Sequence, residues 1–424
     1  MFFRIAHGSV SGRLLTGSLL KLLTLTAAAL VFLCSGYLGI NRAQAAGIDV
    51  EFEKTFGSEN DDRGLSACPV DDGGYIIVGE TVSGYQHGSG GRDVYLIKID
   101  KSGLLQWKRS CGGIRDDYGV HIRQTKDGGY IIAGITESYS DYGSTNKDVY
   151  LVKTNTSGWK QWHKTYGNSG DDYGSCVQQT GDGGYIIAGK TTASKTGDTD
   201  VYLIKTSSSG RLEWEKTFGG HKADLANYVE QTNDGGYIVV GQTYSFGAGN
   251  FDGYMIKTNA RGEKEWEKTF GGRGWDALHS VTQTKDGGYI LTGETSTGSP
   301  GGSSAWLIKT DSKGSKLWEK TFNGKGWAVG RTVRQTDDRG CMAAGWTVSK
   351  DSGGFNFYLI KTDPNGKKIW EKTLKGTRFD RQFSIQQAGD GGYIVTGWWA
   401  DLLKWNKTRS SGTEVYIMKI QQVP

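Results

Sequence analysis

Six aspartates recur at one position of a repeated unit, ten residues after an aromatic slot: Asp62, Asp117, Asp172, Asp224, Asp276 and Asp380. Carboxylates on one rim would suit a hard cation such as Ca2+, which takes oxygen ligands. Each unit supplies only one, however, and no D-x-D-x-D-G loop is present. A short Asp in a loop satisfies nearby turn amides, and that role is expected here. A second set is basic: Lys98, Lys153, Lys205, Lys257, Lys309, Lys361 and Lys419. A charge this regular reads as a cross-strand-paired face, with Glu215, Glu267, Glu319 and Glu371 as partners. The histidines His87, His121, His163, His221 and His279 fall at scattered repeat positions, so no metal cluster is expected. No G-x-S-x-G, H-E-x-x-H or Gly-Lys-Ser/Thr phosphate loop occurs. No catalytic residue, metal or cofactor is assigned on these grounds.

The units that carry these residues are long and regular. The Asp of a "DGGY"-like phrase returns at Asp72, Asp127, Asp182, Asp234, Asp286, Asp338 and Asp390, at intervals of 55, 55, 52, 52, 52 and 52. A "WEKTF" phrase gives Trp107, Trp162, Trp214, Trp266, Trp318 and Trp370, with Phe52 in the first slot. Each copy reads as four strands. In one copy these are Ser280 to Thr284 (strand A), Gly288 to Thr295 (B), Ala305 to Thr310 (C) and Lys316 to Phe322 (D), with Gly-rich turns after A and C. Strand B is almost continuously apolar, as expected of a strand covered on both faces. Seven four-stranded antiparallel units predict an all-β, seven-bladed β-propeller. The chain opens with a lone strand D (Glu51 to Phe56) and closes on a strand C (Glu414 to Ile420), so the N-terminal strand is expected to complete the last blade. The Gly inside strand B, from Gly79 to Gly397, would let a ring approach. The strand A glutamines (Gln124, Gln179, Gln231, Gln283, Gln335 and Gln387) would bridge neighbouring blades near the channel.

Composition agrees with many short strands joined by tight turns: 66 Gly, 14 Trp and 21 Tyr, but only 4 Pro. Residues 1–45 differ. They hold Arg4, Arg13, Lys21 and Arg42, no acid, an uncharged stretch from Leu22 to Ile40, and an A-x-A site at Ala43 to Ala45. This is the pattern of a secretory signal peptide, with an uncleaved membrane anchor as the alternative. Residues 46–50 then read as a linker and 51–424 as the propeller. Without the leader the charge is 46 basic against 45 acidic residues, which gives no reason to expect a nucleic-acid partner. Export permits disulfides, but Cys68, Cys111, Cys176 and Cys341 show no repeated spacing, so no disulfide framework is read.

The segments "KTDSKGSKLWEKTFNG" (Lys309 to Gly324) and "KTDPNGKKIWEKTLKG" (Lys361 to Gly376) resemble the tryptophan-docking repeat of quinoprotein-like propellers. There a turn with Asp and Gly leads to a Trp that packs between blades. The "DGGYIIAG" element is similar to the Gly-Gly-aromatic pattern of kelch-like repeats, and together they resemble secreted bacterial and archaeal DGGYI-repeat propellers. Quinoprotein dehydrogenases would imply pyrroloquinoline quinone and Ca2+, and kelch-type oxidases a copper site with His and Tyr ligands. This chain has no adjacent Cys pair and no matching His set. The non-catalytic scaffolds among quinoprotein-like propellers are the better precedent.

Strand order places the A–B and C–D turns on one face and the D–A and B–C loops on the other. The first face repeats itself; the second varies. Its D–A loops carry Trp275, Trp327 and Phe379 at one shared offset, and its longest B–C loop carries Trp398, Trp399 and Trp405. Loops carry function more often than scaffold strands, and such rings suit stacking on sugars or gripping a protein. These six residues are the candidate ligand-binding set. The expected function is a secreted, periplasmic or cell-surface, non-enzymatic propeller that binds or scaffolds a protein or glycan. The alternatives are a polysaccharide lyase or hydrolase at the channel mouth and a structural surface-layer component.

Overall fold

The computed structural model describes residues 48–424 except 59, 83–90, 141–145, 194–197, 300–301, 323–326, 349–354, 376–379, 401–411 and 423–424. The expected signal peptide lies outside the described residues. The regular elements described are strands, arranged as seven four-stranded antiparallel sheets. The first blade holds β2 (Asp62–Pro69), β3 (Tyr75–Thr81), β4 (Asp93–Ile99) and β5 (Leu105–Cys111), paired in that order. The last sheet has the order β1-β28-β27-β26, with β1 at Ile48–Phe56, β28 at Thr413–Gln422, β27 at Tyr393–Ala400 and β26 at Asp380–Gln387. The N-terminal strand therefore closes the last blade, and β1 begins at Ile48, inside the segment expected to be a linker. Inner strands of successive blades touch all the way round, including β2 against β26. The chain is a closed seven-bladed propeller with strand A innermost.

Blades dock through the repeated aromatic of strand D. Trp107, Trp162, Trp214 and Trp266 each lie 5.8–6.1 Å, centroid to centroid, from the Tyr that opens strand B of the next blade. Each also covers the C–D turn Gly of that blade, as Trp162 covers Gly210, where a Cβ would sit 2.8 Å from the ring. Phe52 of β1 does the same against Tyr75 and Gly103 of the first blade. The glutamines bridge as expected. The Lys126 N–H donates to Gln179 Oε1 (2.8 Å), while Gln179 Nε2 donates to its own turn at Gly183 (3.2 Å). Gln124, Gln231, Gln283 and Gln335 accept likewise from the preceding blade.

Three local expectations are corrected. The strand C lysines do not pair with Glu215, Glu267, Glu319 or Glu371. All seven reach the Asp of the A–B turn in their own blade, at 2.7–3.0 Å, from Lys98–Asp72 to Lys419–Asp390. The reason is register. Lys205 stands opposite Trp214 and Ile204 opposite Glu215, so pleating puts Lys205 and Glu215 on opposite faces. Glu215, Glu267 and Glu371 instead accept from the hydroxyls of Tyr202, Tyr254 and Tyr358. Where Trp306 replaces that Tyr, Glu319 keeps only the ion pair to the lysine three residues before it, Lys316 at 2.6 Å, which Glu267 and Glu371 also make to Lys264 and Lys368.

The strand B Gly is also required for a different reason. Strand A carries a bulge after its third residue, as between Gly174 and Cys176. The bulge drives the strand A backbone into strand B: a Cβ on Gly189 would lie 1.7 Å from the Tyr173 carbonyl oxygen. Gly79, Gly134, Gly241, Gly293 and Gly345 meet the same carbonyl at 1.7–1.9 Å. The close neighbour is backbone, not a ring. Finally, the six-copy Asp is not a loop residue. Asp117, Asp172, Asp224 and Asp276 open strand A and are fully buried.

The turn carboxylates predict an acid limit to stability. Burial raises Asp182, but the Thr180 hydroxyl, the Lys205 ammonium and the Gly184 N–H outweigh it and hold the carboxyl at about 2. Asp127, Asp234, Asp286 and Asp338 are likewise held at about 2. A carboxyl depressed in the folded state stabilises fully above its unfolded value, near pH 4, and the stabilisation disappears as pH falls through the folded value. The melting temperature should therefore drop between about pH 4 and 2. The double variant Asp182→Asn/Asp234→Asn should start lower at pH 7 and lose less over that window; a parallel drop in both proteins refutes the assignment.

Candidate functional site on the loop face

The loop face is built on buried carboxylates. In the first five blades the strand A Asp takes a backbone N–H from the D–A loop before it, such as Gly113 to Asp117 (2.7 Å), Gly220 to Asp224 and Gly272 to Asp276 (both 2.8 Å). The same oxygen accepts a hydroxyl from the B–C loop: Ser138 and Ser245 at 2.7 Å, Thr297 at 2.9 Å. One carboxylate thus ties both loops of a blade boundary to the sheet. Turn stabilisation is the observed role of this Asp, extended from one loop to two.

A second Asp opens strand C in four blades: Asp93, Asp148, Asp200 and Asp252. A Cβ on Gly167 would meet Asp148 at 2.4 Å and Asp172 at 2.6 Å, so the two carboxylates are close neighbours. Burial, and then the charge of Asp148, push Asp172 up to about 6, against the hydrogen bonds from Thr191 and Asn168.

On this framework Trp275 and Trp327 stand outward, 49% and 53% exposed. Each has one side supported. The Trp275 ring leans on Phe251, centroids 4.8 Å apart, and Trp327 lies over Gly302. Trp398 is different: it is half-buried in β27 with the Arg63 guanidinium 5.4 Å from its ring centroid, so it is not a free platform. Trp399 lies in β27 opposite Glu414. Phe379 and Trp405 lie outside the described residues. The expected set is therefore split, with Trp275 at the entry to the fifth blade and Trp327 at the entry to the sixth.

Sequence reasoning missed three rings beside Trp275. Tyr244 stacks at 5.2 Å on Phe251, and Phe246 packs at 5.8 Å on buried Tyr254. Tyr244 and Phe246 are 38% and 37% exposed. Their signal was the Tyr-Ser-Phe and Asn-Phe ends of one B–C loop. The channel mouth of the first three blades also carries Arg63, Tyr118 and Tyr173, each next to a strand A Asp. There Arg92 bonds Glu80 at 2.6 Å, Tyr118 bonds Asp116 at 2.7 Å and the Lys190 ammonium sits 4.4 Å from the Tyr173 centroid.

Two histidines line the channel wall. His121 Nδ1 accepts from the Val177 N–H at 3.2 Å, with Tyr228 edge-on to its ring at 6.5 Å. His279 Nε2 lies 3.3 Å from Glu294 Oε1, Arg331 Nη1 lies 3.4 Å from its Nδ1, and Ser303 donates to Glu294 at 2.8 Å. Burial and the Arg331 charge hold the His279 imidazole below its ordinary value, against the opposing pull of Glu294. Cys68, Cys111, Cys176 and Cys341 are free thiols; burial pushes Cys111 up to about 12, and Cys176 and Cys341 to about 11. Such thiols are poor nucleophiles. Among the described residues no group of three or more His, Cys, Asp or Glu side chains could hold a metal ion.

The architecture defines the class: a seven-bladed β-propeller. No family profile and no curated protein sequence matches the chain. Among solved structures it is similar to the Dos1 propeller, with 10% identity, TM-score 0.48, and coverage of 88% of this chain and 95% of that one. It is also similar to Sqt1 from Chaetomium thermophilum, with 8% identity, TM-score 0.48, and coverage of 89% and 100%. BBS1N in complex with ARL6DN gives 7% identity, TM-score 0.48, and coverage of 88% and 96%. Likeness at this level carries no argument about ligand, partner or activity.

Proposed function

We propose that this protein is a non-enzymatic binding propeller, exported to the periplasm or cell surface, that holds a glycan or a protein on its loop face. The observation that carries the reading is the pair Trp275 and Trp327, large rings about half exposed at the entries to the fifth and sixth blades: buried Asp276 pins the Trp275 loop to its sheet, and Trp327, followed by Ala328 instead of an Asp, is tied through its carbonyl, which accepts from the Val348 N–H. A ring held in place loses little entropy on binding, which favours it as an anchor. The export part of the reading rests on the character of residues 1–45.

The test screens the chain from residue 46 onward on a glycan array and against solubilised envelope proteins, with three variants. Trp275→Ala and Trp327→Ala should each weaken the captured interaction by about tenfold or more, the usual size of an aromatic anchor. Trp159→Ala is the control, because Trp159 is 58% exposed but sits beside a C–D turn on the other face. If Trp159→Ala weakens binding and the loop-face variants do not, the site lies on the turn face and the reading fails.

A further inference from the structure

The patch around Trp275 has a definite charge. Tyr244, Phe251 and Trp275 form a continuous row, with centroid separations of 5.2 and 4.8 Å. The Lys222 ammonium sits 4.3 Å from the Tyr244 centroid at one end. The segments that make the patch are 219–223, 244–251 and 271–275. Their exposed side chains include His221, Lys222 and Arg273, and they contain no Asp or Glu. The nearest acids in sequence, Asp224, Asp252 and Asp276, are all buried beneath the loops. The segments are also fastened together. Ser245 Oγ accepts from the Lys222 N–H at 2.9 Å and donates to Asp224 at 2.7 Å. A Cβ on Gly249 would meet the Gly272 carbonyl oxygen at 2.5 Å, so two loops run in direct backbone contact.

We infer that this patch binds an acidic carbohydrate, a uronate-bearing chain laid along the Tyr244–Phe251–Trp275 row with carboxylates toward Lys222 and Arg273. The inference rests on the loop-face reading above and names its ligand class. Sugar rings stack their C–H faces on exposed aromatic surface. Tyr244 and Trp275, 38% and 49% exposed at the two ends of the row with Phe251 packed between them, offer that surface to a sugar chain, whereas a peptide anchor gains most from filling a desolvated pocket. The cation–π contact holds the Lys222 ammonium over Tyr244 and leaves donors free for a carboxylate. No exposed acid in these segments stands beside an anionic chain; the nearby Asp224, Asp252 and Asp276 carboxylates are buried and engaged by the N–H groups of Gly220, Ala248 and Gly272.

The experiment titrates the chain from residue 46 onward with hexamers of galacturonate, mannuronate and hyaluronan by calorimetry. Carboxyl-reduced counterparts and poly-glutamate are the comparison ligands. At least one uronate hexamer should bind about tenfold more tightly than its reduced form, with affinity falling as salt rises. Lys222→Gln/Arg273→Gln should remove that advantage and leave the melting temperature unchanged. Trp275→Ala should weaken both forms. Equal binding of the acidic and reduced chains, still lost in Trp275→Ala, overturns the charge inference and leaves the loop-face reading standing. Binding that ignores Trp275→Ala overturns both. Poly-glutamate binding as tightly as the best uronate, or no binding by any uronate, overturns the carbohydrate assignment.

Discussion

Gly189→Ala should abolish folding of the propeller or cost at least ~4 kcal/mol, the range reserved for steric conflict that cannot relax. The added Cβ would lie 1.7 Å from the Tyr173 carbonyl oxygen. That oxygen belongs to backbone on the inner strand, which is held on one side by strand B and on the other by the neighbouring blade's inner strand. It cannot swing away as a side-chain tip could. The control is Gly183→Ala in the preceding turn. Gly183 has φ of 84° and open space where a Cβ would go. Its substitution costs only left-handed strain, about 1–2 kcal/mol. The sixth blade already tolerates this, with Arg339 at φ 61° in the equivalent turn. Urea denaturation of the two variants should separate them clearly. Equal, small losses would mean that strand A can move its bulge, and the backbone-contact account would be wrong.

Removing residues before Gly57 should have the second largest effect. The last sheet would lose β1, and the first blade would lose Phe52, which is 7% exposed against Tyr75 and Gly103. Phe burial alone is worth about 3–5 kcal/mol by truncation. The hydrogen bond from Tyr416 to Glu53 (2.7 Å) would go, and β28 would become an unpaired edge open to aggregation. The melting temperature should fall by roughly 10 °C or more. A synthetic peptide of residues 48–56, added in excess, should restore it, because the pairing is between strands far apart in the chain. The variant peptide Phe52→Ala should rescue poorly. A truncated chain that melts like the intact one would show that the ring does not depend on this closure.

The two predictions mark the boundary between what could be read in the sequence and what could not. Seven copies, four strands each, and the complementary ends at Glu51–Phe56 and Glu414–Ile420 were legible because repetition and period-two patterning are local properties. The glutamine bridges were legible for the same reason, since one contact, repeated, must join one copy to the next; tryptophan docking was implied by the resemblance of the "WEKTF" segments to the tryptophan-docking repeat. The site was only partly legible. Trp275 and Trp327 stood out because they share one offset on the face where the copies differ. Trp398 stood out on the same face, yet the Arg63 guanidinium from the first blade lies against its ring. That contact exists only because the last blade meets the first.

Tertiary structure alone decided which lysine meets which acid, why strand B needs Gly, and which loop aromatics stand free. The first two answers depend on register, the third on packing between loops and blades. The strand A bulge shifts pairing by one residue, and a one-residue shift changes which face a side chain occupies. Composition and spacing fixed the number of blades and the order of strands. They could not fix the register, because it depends on turn geometry and on the strand A bulge, which repetition and spacing do not encode.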